Sequence, residues 1–273
     1  MKTARAAWRH LEPVHGMIYF VPEARRRYAD LGLGGRAGYF TSRSAAFGRT
    51  SAELIISTFY NFNPDVVRRA VDRAWDTTTP QQVLEARYAA AGEALRRAGI
   101  HELPDLDEVL ELTRRAAEAA CEHAQGRPLF AAHAALPWPD EPVLRLWHAQ
   151  TLLREFRGDG HVACLLTEGV GGLDALVLHA ATGEVPVDFL KASRAWPEED
   201  WAATQERLRE RGLLDGDSLS PEGVLLRRRI EDRTDRLALP AYAALGDAGC
   251  ERLAELATPF GRAVVDAGLL TRG

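Results

Sequence analysis

A chain of 273 residues, 46% hydrophobic and 27% charged, can bury one large core or two modest ones and has the make-up of a folded globular protein. Its formal net charge of −5 counts against a strong nucleic-acid binder. No apolar run approaches the roughly 20 residues that a bilayer span needs, and the first residues lack the apolar core of a secretory signal. Cys121, Cys164 and Cys250 lie far apart in helical patterns, as buried thiols of a reducing cytoplasm would, with no disulfide frame and no zinc spacing.

Taken in order, almost every segment reads as helix, because Ala, Leu, Arg and Glu recur at three- and four-residue spacing and strand-like alternation is absent. A first helix is predicted over 2–11, stopped by Pro13. The apolar stretch 13–21 follows, either a short helix or an extended buried piece. Pro22 starts the next helix, which the glycines at 32, 34 and 35 end. Tyr39, Phe40 and Phe47 have a helical period, Thr50 and Glu53 have capping-box spacing, and Asn63-Pro64-Asp65 is a further start signal. Helices over 81–98 and 105–124 precede a proline-rich connector. The expected organisation is all-α: a helical domain over 1–126, the connector over 127–142, and a second domain over 143–273.

In the second domain, a helix through His148 to Arg157 should reverse at Gly158-Asp159-Gly160 and restart at His161. Segments 173–181, 187–195 and 198–214, a short loop and a long helix from Pro221 complete it. The order "LRERGLL…LSPEG" resembles the second half of MarR-type regulators, in which a glycine closes the recognition helix and a wing follows. This resemblance covers about a third of the chain and implies a winged helix. The phrases "EPVHGMIYF", "LPWPDEP", "LWHAQTLLREFRGDGHVA" and "RGLLDGDSLSPEG" resemble uncharacterised actinobacterial proteins that carry a helix-turn-helix label, over about Glu12 to Leu245. That family implies an architecture and no settled activity.

A DNA-reading wing needs Lys or Arg against phosphate. Here the wing position reads Leu214-Asp215-Gly216-Asp217-Ser218-Leu219, short or degenerate and acidic. The recognition-position helix opens Glu198-Glu199-Asp200, which suits a helix dipole better than a phosphate. DNA is therefore not expected as a partner.

Chemistry concentrates on 143–161. His148 and Glu155 share a helical stripe about 10 Å apart along the axis. With a reversal at Gly158-Asp159-Gly160, His148, His161, Arg157 and Asp159 could form a catalytic group doing proton transfer, with Arg on a carboxylate or enolate oxygen. The same two histidines could hold a heme or a divalent metal. His15 and Tyr19, at i and i+4, together with Arg154 and Glu155, complete the candidate substrate-binding set. Each residue also has a plainer reading. Asp159 suits a helix cap, Glu155 an ion pair with Arg154 or Arg157, and His15 with Tyr19 simple core packing. His10, His101, His123, His133 and His179 have no companions in sequence and receive no role. No HExxH, CxxC, GxGxxG, Walker or GxSxG pattern is present.

The expectation is a cytoplasmic small-molecule binder, leaning to an enzyme of specialised metabolism, on a scaffold that has lost DNA binding. A homodimer stays open. The alternatives are a MarR-like ligand-responsive regulator and a heme or metal protein.

Overall fold

The computed structural model describes residues 2–271. The helices follow in chain order as α1 (Lys2–Gly16), α2 (Pro22–Asp30), α3 (Arg36–Ser44), α4 (Ala52–Phe59), α5 (Pro64–Val71), α6 (Ala74–Thr77), α7 (Pro80–Arg97) and α8 (Leu106–Cys121). Then come α9 (Pro128–Ala134), α10 (Pro142–Thr167), α11 (Gly172–Ala180), α12 (Val187–Arg194) and α13 (Glu198–Glu210). A hairpin of β1 (Leu214–Asp215) and β2 (Ser218–Leu219) precedes α14 (Pro221–Ala243) and α15 (Gly246–Asp266). The protein is all-α, and among the described residues its strands are confined to this antiparallel pair, Leu214 opposite Leu219. No single described helix is long and apolar enough to cross a membrane.

The chain divides into two compact units, but not at the connector. One unit comprises the chain up to Thr50, Arg73–Asp159 and the chain from Asp235 onward; the other comprises Ser51–Asp72 and Gly160–Thr234. Both boundaries of the later segment fall inside continuous helices, α10 and α14. The expected connector lies wholly within the first unit and contains α9, which buries Leu129, Phe130 and His133. Its prolines were read as breaks, yet Pro128 sits at the first turn of α9, where a missing N–H costs nothing.

Two further expectations are corrected. Pro13 does not stop the first helix: α1 runs through it to Gly16. An interior proline costs a helix about 3 kcal/mol, and burial of Leu11, Val14 and His15 on the same element offsets it. Nor does the chain reverse at Gly158-Asp159-Gly160, since α10 continues to Thr167. Glycine costs a helix only about 1 kcal/mol per residue. Against that, Phe156 packs edge-on to Phe130 at 5.0 Å and Asp159 is anchored on α9. Cys164 and Cys250 are buried as expected, whereas Cys121 is exposed.

In the first unit the core is built on Leu11, Val14, Met17, Trp147, Phe156 and Phe260. Helices α1 and α15 pack so closely that a Cβ at Gly261 would run into the His10 carbonyl oxygen. The second unit has its own core on Trp201, Leu208, Leu226 and Ile230. Its early segment is tied in by Trp196 Nε1–H donating to the Asn61 carbonyl (2.9 Å) and by the Tyr60 hydroxyl donating to the Val170 carbonyl (2.5 Å).

Gly261→Ala should destabilise the protein by about 1–3 kcal/mol, the usual magnitude for overpacking a tight helix contact. Gly34→Ala, which meets nothing within 4 Å, should change stability far less. Urea unfolding of the two variants beside the parent tests this; equal midpoints for both would contradict the close approach.

Candidate functional site

The first unit carries polar and charged side chains into its core. They come from α1 (His15), the 3₁₀ turn Met17–Tyr19 (Tyr19), α3 (Tyr39, Arg43), α7 (Arg87, Tyr88), α9 (His133) and α10 (His148, Thr151, Arg154, Glu155). His15, Arg87, His133, His148, Thr151 and Glu155 are all buried. Helix α7 shows how such a residue arrives: Val83, Arg87, Ala90, Ala91 and Ala94 form its buried stripe, so Arg87 occupies a core position.

A proton chain runs through His15. Thr151 spends its hydroxyl proton on the Trp147 carbonyl (2.9 Å), so His15 Nδ1–H donates to Thr151 Oγ1 (2.9 Å). That leaves His15 Nε2 to accept from the Tyr19 hydroxyl at 2.8 Å. The imidazole lies flat on Trp147, ring centroids 5.6 Å apart and planes 4° from parallel. Burial, and then the positive charges of Arg87 and Arg43, keep His15 well below the usual histidine range. Burial also pushes the Tyr19 hydroxyl up to about 12. Both are therefore neutral near pH 7.

A second pair is Tyr88 with His148, hydroxyl to Nδ1 at 2.6 Å. Burial lowers His148 to about 4 and raises Tyr88 to about 12. With Tyr88 donating to Nδ1, the single ring proton sits on Nε2, which has no hydrogen-bond partner among the described residues. His133 is 2% exposed, and neither of its ring nitrogens has such a partner. Burial lowers it to about 3, with Arg87, His148 and Arg43 acting in the same direction and Glu155 against.

Tyr19 sits among three guanidinium groups. Those of Arg154, Arg43 and Arg87 lie 5.4, 5.5 and 5.8 Å from its ring centroid. Arg154 is ion-paired with Glu12, and Arg43 with Glu155 at 3.5 Å. Burial alone would raise the Glu155 carboxyl, but Arg43, Arg154, His133 and Arg87 overcome it and hold it below the usual range. Neutral imidazoles, phenols and fixed cations in one dry interior can bind an anion and relay a proton.

Of the residues singled out in the sequence, His15, Tyr19, His148, Arg154 and Glu155 belong to this interior. Asp159 accepts from the Phe130 backbone N–H at 2.9 Å, capping α9 from a neighbouring helix, and burial raises its carboxyl to about 6. Arg157 is elsewhere. It pairs with Asp235 at 3.0 Å, lies over Trp8 at 4.5 Å, and lines a shallow cleft with Arg5 and Tyr242. His161 donates from Nδ1 to Thr234 Oγ1 (3.0 Å), whose own proton goes to the Ile230 carbonyl. His161 lies thirteen positions after His148 on unbroken helix, about 20 Å at 1.5 Å per residue. The convergence expected of His148, Arg157 and His161 is not found, and His148 and His161 cannot share one metal or heme iron. No metal-binding group of three or more His, Cys, Asp or Glu is found among the described residues. The sequence reading missed Arg43, Arg87, Tyr88 and His133; only Arg87 carried a signal, a charge on an apolar helical stripe.

In the second unit α12 and α13 meet at Ala195, which adopts a left-handed conformation (φ +55°). Several of its arginines form ion pairs, among them Arg207 and Arg211 with Asp174, Arg209 with Glu206 and Asp217, and Arg233 with Glu168. Arg209 Nε also donates to the Gly216 carbonyl at 3.1 Å, closing the hairpin onto α13.

A family model described as a helix-turn-helix family matches residues 4–271. No curated protein and no solved structure matches the chain.

Acid should destabilise this protein. A histidine whose folded pKa lies below its unfolded value of about 6.5 takes up its proton on unfolding, so stability is lost as pH falls from about 6.5 toward the folded value. His15, His133 and His148 act in this sense. Asp159, raised to about 6, opposes them with one proton between about 6 and 4. The net slope should be on the order of 1–3 kcal/mol per pH unit, and His148→Gln should remove about 1.4 kcal/mol per unit of it. Urea unfolding at pH 7, 6 and 5 measures both; an unchanged slope in the variant would mean that folding leaves His148 free to protonate.

Proposed function

The chain belongs to that helix-turn-helix family, and on this footing we propose that it binds a small organic metabolite inside its first unit and acts on it by proton transfer. One observation carries the reading. His133 and the Nε2 edge of His148, both buried, have no hydrogen-bond partner among the described residues, beside the neutral Tyr19–His15 pair. Buried polar groups are nearly always satisfied, so open ones call for a water, an ion or a ligand, and this reading takes the ligand. In this reading His133 exchanges the proton, His148 Nε2–H donates a hydrogen bond to the ligand, Tyr19 passes a proton along its bond to His15, and Arg43 and Arg87 stabilise developing negative charge.

A second reading is a ligand-responsive regulator of the MarR type, favoured by the family description and by the order α12, α13, hairpin, α14. Against operator binding stand the acidic first turn of α13, Glu198-Glu199-Asp200, and the commitment of Arg207, Arg209, Arg211 and Arg233 to carboxylates of their own unit. Phosphate contacts supply most of the salt-dependent affinity for DNA, and these four arginines are set against carboxylates instead. A helix-turn-helix order describes a scaffold and leaves its use to its surface.

Thermal melts against a panel of small organic acids, amines and neutral carbonyl compounds test the first reading. A compound at 100 times its dissociation constant should add about 2.7 kcal/mol, a shift of a few degrees. His133→Gln and Tyr19→Phe should abolish the shift while remaining folded. A panel without effect, with both variants markedly less stable, would make the cluster structural. In a mobility-shift assay near physiological salt the protein should not retard its own upstream DNA; sub-micromolar, sequence-dependent retardation would favour the regulator.

A further inference from the structure

The cations in the interior of the first unit are not evenly answered. Arg43 has Glu155, and Arg154 has Glu12. Arg87, 1% exposed, forms no ion pair among the described residues. Its polar contacts are the Ser42 hydroxyl, at 3.4 Å from Nη1, and the Tyr19 hydroxyl. Beyond these it has two aromatic faces, Trp147 at 5.2 Å and Tyr19 at 5.8 Å. Its Nε and Nη2 lack a hydrogen-bond partner. These two nitrogens form one edge of the guanidinium, and their N–H bonds run parallel at the spacing of the two oxygens of a carboxylate. A cation taken fully out of water without a counter-charge is among the least favourable things a core can hold.

We propose that this edge of Arg87 receives the carboxylate of the ligand, which is a small organic monocarboxylate. The inference rests on the interior-site reading above and names its substrate class. One charge follows from the count. The histidines facing Arg87 are neutral, Glu155 and Glu12 are already matched, and a single positive charge is left over. A dianion would bring a charge with no partner. His133, close enough for the Arg87 charge to act on it, offers a donor and an acceptor to the ligand's next polar group.

Benzoate, its neutral isostere benzamide and inorganic phosphate are the probes, followed by calorimetry and by the fluorescence of the tryptophans, of which Trp147 borders the guanidinium. The full chain is compared with Arg87→Met, which keeps length and removes charge, and Arg87→Lys, which keeps charge and removes the fork. Benzoate should bind at least tenfold more tightly than benzamide or phosphate. Arg87→Met and Arg87→Lys should each lose at least tenfold in benzoate affinity. Arg87→Met should melt within a few degrees of the parent, because losing an unpaired buried charge offsets losing its field at Glu155. The proposal is overturned if Arg87→Met melts several degrees lower and neither protein responds to benzoate, since Arg87 is then a structural cation held between two rings. It is also overturned, with the interior site left standing, if a neutral compound of the earlier panel binds the parent and Arg87→Met equally. If no compound binds the parent at all, both readings fall together.

Discussion

Glu155 is a carboxylate 4% exposed in the core of the first unit, and much of what surrounds it follows from that one burial. An ionised carboxylate removed from water is tolerated only with cations and hydrogen bonds to match. Arg43 supplies the direct contact, and Arg154 and Arg87 add their fields. Those guanidinium groups repel one another, and the Tyr19 ring set among them offers each a negative π face, a contact of order 1–2 kcal/mol where water is excluded. Positive charge held permanently by arginine leaves no room for more. The nearby imidazoles are neutral chiefly because they are buried, with the arginine charges adding to this at His15 and His133, and phenols partner His15 and His148.

An interior of this kind is costly as a packing solution. Hydrophobic side chains of similar volume would fill the same space without desolvating an ion, and a core that retains such groups trades stability for something else. The second unit uses its charges conventionally. Acids in the first turn of α13 match the helix dipole, and Arg209 holds the hairpin by its Gly216 carbonyl and Asp217. The two units thus hold charge differently, the first in its core and the second largely on exposed side chains. The helix-turn-helix family match spans both units, residues 4–271.

Elements whose boundaries rest on local signals were legible from the residues. Asn63 caps α5 and the strands fall between Leu214 and Leu219 as expected, while α4 is capped by Ser51, one residue after the expected Thr50. Part of the interior was legible too, because an i, i+4 spacing places His15 under Tyr19 and a helical stripe links His148 to Glu155. The glycines of Gly158-Asp159-Gly160 misled, since glycine permits a turn without requiring one. What holds α10 straight is a cap given to α9 by Asp159 and the packing of Phe156 on Phe130. Neither partner is adjacent in sequence.

By itself, then, the sequence determined the helical class, most of the helix ends and the acidic first turn of α13, because each depends on residues within one or two turns of one another. Only the tertiary structure decided that residues 51–72 join the later unit, that His133 and Arg87 share an interior with His148, and that His161 stands about 20 Å along the helix from His148. Those outcomes depend on which buried surfaces meet. Contacts between residues dozens of positions apart are chosen by packing and by the pairing of buried charge, and no local spacing encodes them.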